Sequence, residues 1–286
     1  ILDFHRIAPL SPTTTTLGFM FGGAVREHLI AVILLPFTLA CALFSDVGIG
    51  GFLTSTLVLI SSTLLFHGIA ITTGLVARPG KTRNINSALS FVIIGIGSTS
   101  WLVFSGIPIP GILGIGPALL EALAPNGPPG GLPLTFFGAR LPVFVQSLFY
   151  QIPLTAFLVV AATRRMMSAQ AMFFSKSSAI AFLVTIATLS LGGVIEHPQL
   201  KAEWLVPMLA YSEFLVAVLM ILAISPDQSV YTGGARRAKR MGMGRPPLWQ
   251  DASSNRAAVL VMASLVMATV QVIHTLVPAL NIDVRF

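Results

Sequence analysis

Long apolar runs, interrupted by short polar or basic stretches, dominate the chain. A helix needs about 20 apolar residues to cross the hydrocarbon core of a bilayer. Seven runs meet or nearly meet that length: 28–45, 52–77, 88–106, 141–163, 178–195, 205–225 and 257–279. The runs are long and continuously apolar, without the short alternating segments of a membrane barrel, so each is expected to be a helix. Prolines fall inside four of them, at Pro36, Pro153, Pro207 and Pro278. Membrane helices tolerate proline when neighbouring groups satisfy the freed carbonyl.

Two segments break the rhythm. Residues 107–140 hold Pro108, Pro110, Pro117, Pro125, Pro128, Pro129 and Pro133 among many glycines. The first half is apolar but too broken to span, which predicts an outer re-entrant hairpin whose backbone is covered by protein or water. Residues 164–177 place basic ends around Met166, Met167, Met172, Phe173 and Phe174. This pattern fits either a stretch lying on the membrane surface or a plain connecting loop.

Composition agrees with the pattern. Of 286 residues, 55% are hydrophobic and only 9% charged, against about 25% charged in a soluble domain. Mean hydropathy is +0.87. An ordinary soluble enzyme, a disordered chain and a disulfide-built secreted domain are excluded. Cys41 is the single cysteine and cannot form an intrachain disulfide or a cysteine-pair metal site. The expected fold class is all-α: a polytopic membrane helix bundle of about seven transmembrane helices plus the outer hairpin 107–140.

The net charge of +7 changes the picture through its placement. With residue 1 in the cytoplasm, the inner segments 1–27, 78–87, 164–177 and 226–256 carry fourteen of the basic residues: Arg6, Arg26, Arg78, Lys81, Arg83, Arg164, Arg165, Lys176, Arg236, Arg237, Lys239, Arg240, Arg245 and Arg256. The outer segments carry Arg140, Lys201 and Arg285. That asymmetry follows the positive-inside rule and points to membrane orientation, not to nucleic acid. With the apolar runs it predicts three regions: a cytoplasmic amphipathic segment 1–27; a four-span bundle 28–163 with the outer hairpin 107–140; and three further spans in 164–286 with the basic cytoplasmic loop 226–256. The expected location is a bacterial cytoplasmic membrane.

Candidate chemistry is sparse. Arg78-Pro79-Gly80-Lys81-Thr82 lacks the upstream glycine of a phosphate-binding loop, since Leu75 stands there, and it follows a span instead of a strand. Gly95, Gly97 and their neighbours sit inside a span, where small residues serve helix packing. Glu196, His197 and Glu203 share a polar outer loop. No catalytic constellation and no metal site is expected. Three intramembrane polar residues stand out: His67, His274 and Glu213. Either histidine has the chemistry to ligate haem or chlorophyll, although neither has a second histidine placed on its own helix for a bis-His site. Glu213 lies near the middle of 205–225, where a charged carboxylate costs about 2.5–3.5 kcal/mol on insertion scales. Ala210 and Ala217 beside it predict a helix-packing face, with Tyr211 or Ser212 as nearby polar atoms.

The opening residues carry a resemblance. Asp3, then Pro9-Leu10-Ser11, then a helix containing Gly18 and broken at Gly22-Gly23 lead through Arg26-Glu27 into a span. Ser11 suits the cap of that helix and Pro12 its first position. This resembles the membrane (permease) subunits of ABC-2 type exporters, in which such a coupling stretch precedes the third span. The order of elements through about residue 163 is similar as well. The resemblance implies two further spans ahead of Ile1, and the three spans after residue 163 depart from the family's six-span plan. It implies a subunit that moves an unknown substrate by alternating access, driven by a separate cytoplasmic ATP-binding subunit, within a dimer or larger membrane complex. Under it, Asp3, His5, Arg6, Arg26 and Glu27 are the polar contacts to that partner, and no resident cofactor is required. Two other readings stay open: a non-transporting membrane subunit that binds lipid, quinone, haem or pigment between its helices, and an ion-coupled carrier using Glu213.

Overall fold

The computed structural model describes residues 10–76, 135–167, 171–194, 202–226 and 228–279. The predicted span 88–106, most of the hairpin 107–140, and Asp3, His5 and Arg6 lie outside the described residues. Within them are eight helices and one minimal β-hairpin: α1 (Pro12–Gly22), α2 (Val25–Leu43), α3 (Gly48–Val76), β1 (Thr135–Phe136), β2 (Ala139–Arg140), α4 (Val143–Met167), α5 (Lys176–Val194), α6 (Ala202–Ala223), α7 (Gln228–Arg240) and α8 (Arg256–Ala279). Among the described residues, four helices are long and apolar enough to cross a membrane: Val25–Leu43, Gly48–Leu75, Val143–Met167 and Arg256–Thr275. Shorter apolar helical stretches, Lys176–Gly192 and Ala210–Ala223, lie in α5 and α6. The chain divides into two compact units, Ile1–Met166 and Met167–Phe286.

In the first unit, local chemistry sets the start of α1. The Ser11 side chain accepts a hydrogen bond from the Thr14 backbone N–H at 3.0 Å, and Pro12 occupies the first turn. The helix ends at Gly23. Its sides do not divide into polar and apolar: Thr15, Thr16 and Met20 are buried, while Leu17 and Phe21 are exposed. The buried side packs on α3, and the Thr163 hydroxyl in the last turns of α4 donates to Thr16 Oγ1 at 3.3 Å.

Helix α2 also packs on α3, yet it leaves Leu29, Val32, Ile33 and Phe37 exposed. Such a continuous apolar surface is stable against lipid and not against water. Gly48 opens α3 with φ +62°, a conformation glycine reaches without steric cost. Along α3, Thr54, Ser55, Thr63 and Thr72 donate their hydroxyls to carbonyls three or four residues back. That bonding lets hydroxyls sit in an apolar helix without an unsatisfied donor. Gly68 comes so close to α4 that a Cβ there would stand 3.2 Å from Leu158 Cβ and Cδ1.

The hairpin precedes α4. Thr135 pairs with Arg140 and Phe136 with Ala139. Phe137 and Gly138 form the turn with φ of 48° and 77°, the positive pair that a tight two-residue hairpin turn requires. The Phe136 ring stacks on Phe149 of α4, centroids 5.6 Å apart and planes within 4°.

In the second unit, α5, α6 and α8 pack mutually. Each presents a buried stripe at three- and four-residue spacing, as helix geometry demands: Ala179 and Leu183 with Ser190 on α5, Glu213, Ala217 and Met220 on α6, and Ala258, Met262, Thr269 and Ile273 on α8. One end of this three-helix group is tied together by polar bonds. Asn255 Nδ2 donates to Ser225 Oγ at 3.0 Å, which joins the end of α6 to the start of α8. Helix α7 lies between them in the chain. It closes with the Gly242 N–H on the Lys239 carbonyl at 3.1 Å and the Met243 N–H on the Ala238 carbonyl at 2.9 Å. With Gly242 at φ +74°, this is the glycine-terminated cap that satisfies the last carbonyls of a helix.

Candidate functional site

Three sets of buried polar residues distinguish these apolar helices, one around α6 and α8, one at the start of α5, and one along α4. Burying a polar group without a partner costs roughly 1–3 kcal/mol, so each grouping asks for an explanation.

Glu213 is 1% exposed at the middle of α6. Its side-chain hydrogen-bond partner is Thr269 of α8, and its Oε1 is buried with no partner among the described residues. The Thr269 hydroxyl also bonds the Leu265 carbonyl at 3.0 Å. That hydroxyl has a single proton. While it is given to Leu265, Thr269 presents a lone pair to Glu213, and a carboxylic acid in that position completes the pair as the donor. Of the neighbours expected from sequence, Tyr211 points away at 69% exposed and Ser212 is half-buried. The partner comes from another helix.

Lys176, the first residue of α5, is 1% exposed. Its Nζ donates to the carbonyl oxygens of Leu248 at 2.9 Å, Ser253 at 3.1 Å and Ser254 at 3.0 Å, and to the Ser253 hydroxyl. The Ser253 hydroxyl donates in turn to the Leu248 and Gln250 carbonyls. An ammonium has three protons and no acceptor, so an all-oxygen cradle suits its charged form. Burial pushes the Lys176 pKa down, and the charge of Asp251 pulls it up. In sequence Lys176 is one of the basic residues of a loop; in the fold it clasps the segment leading into α8.

On α4, Gln146, Ser147, Tyr150 and Gln151 are all buried. Their i, i+1, i+4, i+5 spacing puts them on one side of the helix. Gln146 Nε2 reaches the Leu141 carbonyl at 3.5 Å. The Ser147 and Ser62 hydroxyl oxygens are buried without partners among the described residues. In the sequence, the signal for this polar side is four polar residues at helical spacing inside 141–163.

His67 of α3 is half-buried, with Nδ1 unpartnered among the described residues. The His28 ring of α2 stands edge-on to it at 5.5 Å, so the second imidazole comes from a neighbouring helix. His274 is exposed on α8. Among the described residues no cluster of three or more histidine, cysteine or carboxylate side chains has metal-holding geometry. Arg26 and Glu27 are exposed at the start of α2, and Glu27 lies in the helix's first turn, where the macrodipole favours an acid.

No family model matches the chain, and no curated protein or solved structure matches it.

Proposed function

We propose that this chain is the membrane-spanning subunit of an ABC-2-like exporter, moving its substrate by alternating access under the drive of a separate cytoplasmic ATPase. The observation that supports this reading most is the seating of α1. A short helix, capped by Ser11 and ended at Gly23, is fixed along its buried side to α3 and through Thr16 to the end of α4. A push on α1 is therefore passed to two long apolar helices, to α4 near its last turns. Leu17 and Phe21 remain exposed on its other side, next in the chain to Arg26 and Glu27, and together they offer a partner an apolar and a charged contact.

The test is purification of the chain from its native membrane in a mild detergent. An ATP-hydrolysing protein recovered with the wild-type chain, and lost from Leu17→Asp and Phe21→Asp variants of normal abundance, is the expected result. A chain that purifies alone and carries flux without ATP overturns the proposal in favour of an ion-coupled carrier. A chain that purifies alone with a bound chromophore or quinone overturns it in favour of a subunit of a larger membrane complex.

A further inference from the structure

Helix α7 has a platform on one side and a basic surface on the other. Gly234 sits against Ala252 so closely that a Cβ there would collide with the Ala252 Cβ, and Ala238 is buried one turn on. At 100° per residue, Arg236, Lys239 and Arg240 sweep the opposite side, with Arg237 on its shoulder. All four are exposed, as is Arg245 just beyond the Gly242 cap. Trp249, four residues after Arg245 in the chain and one after the Leu248 carbonyl that Lys176 holds, is 53% exposed.

The position of this surface follows from the bonds beneath it. Ala252 belongs to the segment that Lys176 clasps to the start of α5. Asn255 ties the same segment to Ser225 at the end of α6, and α8 begins at Arg256. Four residues lie between Ala223 and Gln228, so the five steps from one to the other reach at most about 18 Å. The starts of α5 and α8 and the end of α6 thus converge, and α7 is held at that end of the apolar group. The Gly234–Ala252 contact lies four residues before α8 begins at Arg256, so a bilayer crossed by α8 has its headgroups at the end of the group where α7 is seated.

We infer that the basic side of α7, with Arg245 and Trp249, is a binding surface for anionic phospholipid headgroups of the leaflet on that side. Charge selects the occupant: four basic side chains crowd 13 residues of helix that carry no acidic residue, and such clusters beside a membrane helix attract anionic lipid. The exposed Trp249, on the segment that seats α7, suits the interface layer, where its amphipathic ring is favoured. The inference requires only that α8 crosses the bilayer, and it stands or falls independently of any ATPase partner.

The experiment uses the full chain reconstituted in phosphatidylcholine with brominated phosphatidylglycerol or, in parallel, brominated phosphatidylcholine. Trp249 fluorescence is read with Trp101 and Trp204 replaced by Phe. Spin-labelled forms of the two lipids give the same comparison on the unaltered chain. The expected result is stronger quenching by the anionic lipid, with selectivity falling about fivefold for each of Arg236→Gln, Arg237→Gln, Lys239→Gln and Arg240→Gln at low salt. High salt should erase most of the preference. Equal quenching by both lipids in the wild type overturns the inference, as does a preference that survives the fourfold variant with its helix content intact. Loss of a copurified protein from the fourfold variant, without any lipid preference in the wild type, overturns it in favour of an acidic protein surface.

Discussion

Glu213 on α6 and Thr269 on α8 form a side-chain pair inside an otherwise apolar three-helix group. The pair joins two helices that the chain separates by the whole of α7 and its flanking loops. Its asymmetry matters: Thr269 has a second bond to fall back on, at Leu265, and Glu213 Oε1 has none among the described residues.

That asymmetry predicts unequal costs. Glu213→Gln keeps the shape and a donor for Thr269, and should change stability by less than about 1 kcal/mol. Thr269→Val strips the carboxyl of its partner and should cost about 1–3 kcal/mol. Thermal unfolding of the two variants in the same detergent checks the order. A larger loss for Glu213→Gln than for Thr269→Val would contradict it.

Lys176→Met should be among the most damaging substitutions. It leaves the Leu248, Ser253 and Ser254 carbonyls without their shared donor, at a cost of roughly 2–4 kcal/mol. Chymotryptic cleavage after the exposed Trp249 should accelerate as the clasped segment loosens.

The same lysine gives a pH dependence with a definite sign. Burial sets its folded pKa below the ordinary 10.5, so between those two values the unfolded chain holds more protons than the folded one. The lysine's contribution to stability therefore rises with pH across that window. The stability of wild type relative to Lys176→Met should grow as pH climbs toward 10.5. A gap that shrinks over that range would contradict the assignment.

Gly234→Ala tests the seat of α7. Alanine improves helix propensity by about 1 kcal/mol, yet its methyl group meets the Ala252 methyl, which cannot swing aside because it is fixed to the backbone. Overpacking of this kind costs about 1–3 kcal/mol. The net result should be a lower unfolding temperature, whereas Gly233→Ala, open to its surroundings, should raise it slightly.

Topology is checked by reporters. Fusions near Ser175 and after Gly244 should report the cytoplasm, and a fusion in the Phe137-Gly138 turn should report the opposite side. Ser175 and Gly244 on opposite sides would break the orientation read from the basic residues.

Legibility from sequence divides along a physical line. The apolar helices were readable because burial in lipid imposes a length and a composition on each segment alone. The Ser11 cap and Pro12 were readable because capping is decided within four residues. Helix ends were less so: α4 runs on to Met167 through Arg164 and Arg165, since a basic pair suits the last turn as well as a loop. Partners across helices were not readable. Thr269 for Glu213, the cradle around Lys176, and His28 beside His67 all depend on which helices touch. Nothing in an apolar stripe says which other stripe it meets.

The notch at Gly68 has a mechanical consequence. It is a place where α4 reaches α3 through one side chain, Leu158, which fills the space a Gly68 side chain would take. If one helix rocks against the other about this contact, Gly68 sets the two lever arms. Gly68 lies 8 residues from Val76 and 20 from Gly48, so the arms are about 12 Å and 30 Å long at 1.5 Å per residue. A displacement of about 1 Å at the Val76 end would swing the Gly48 end through roughly 2.5 Å in the opposite sense.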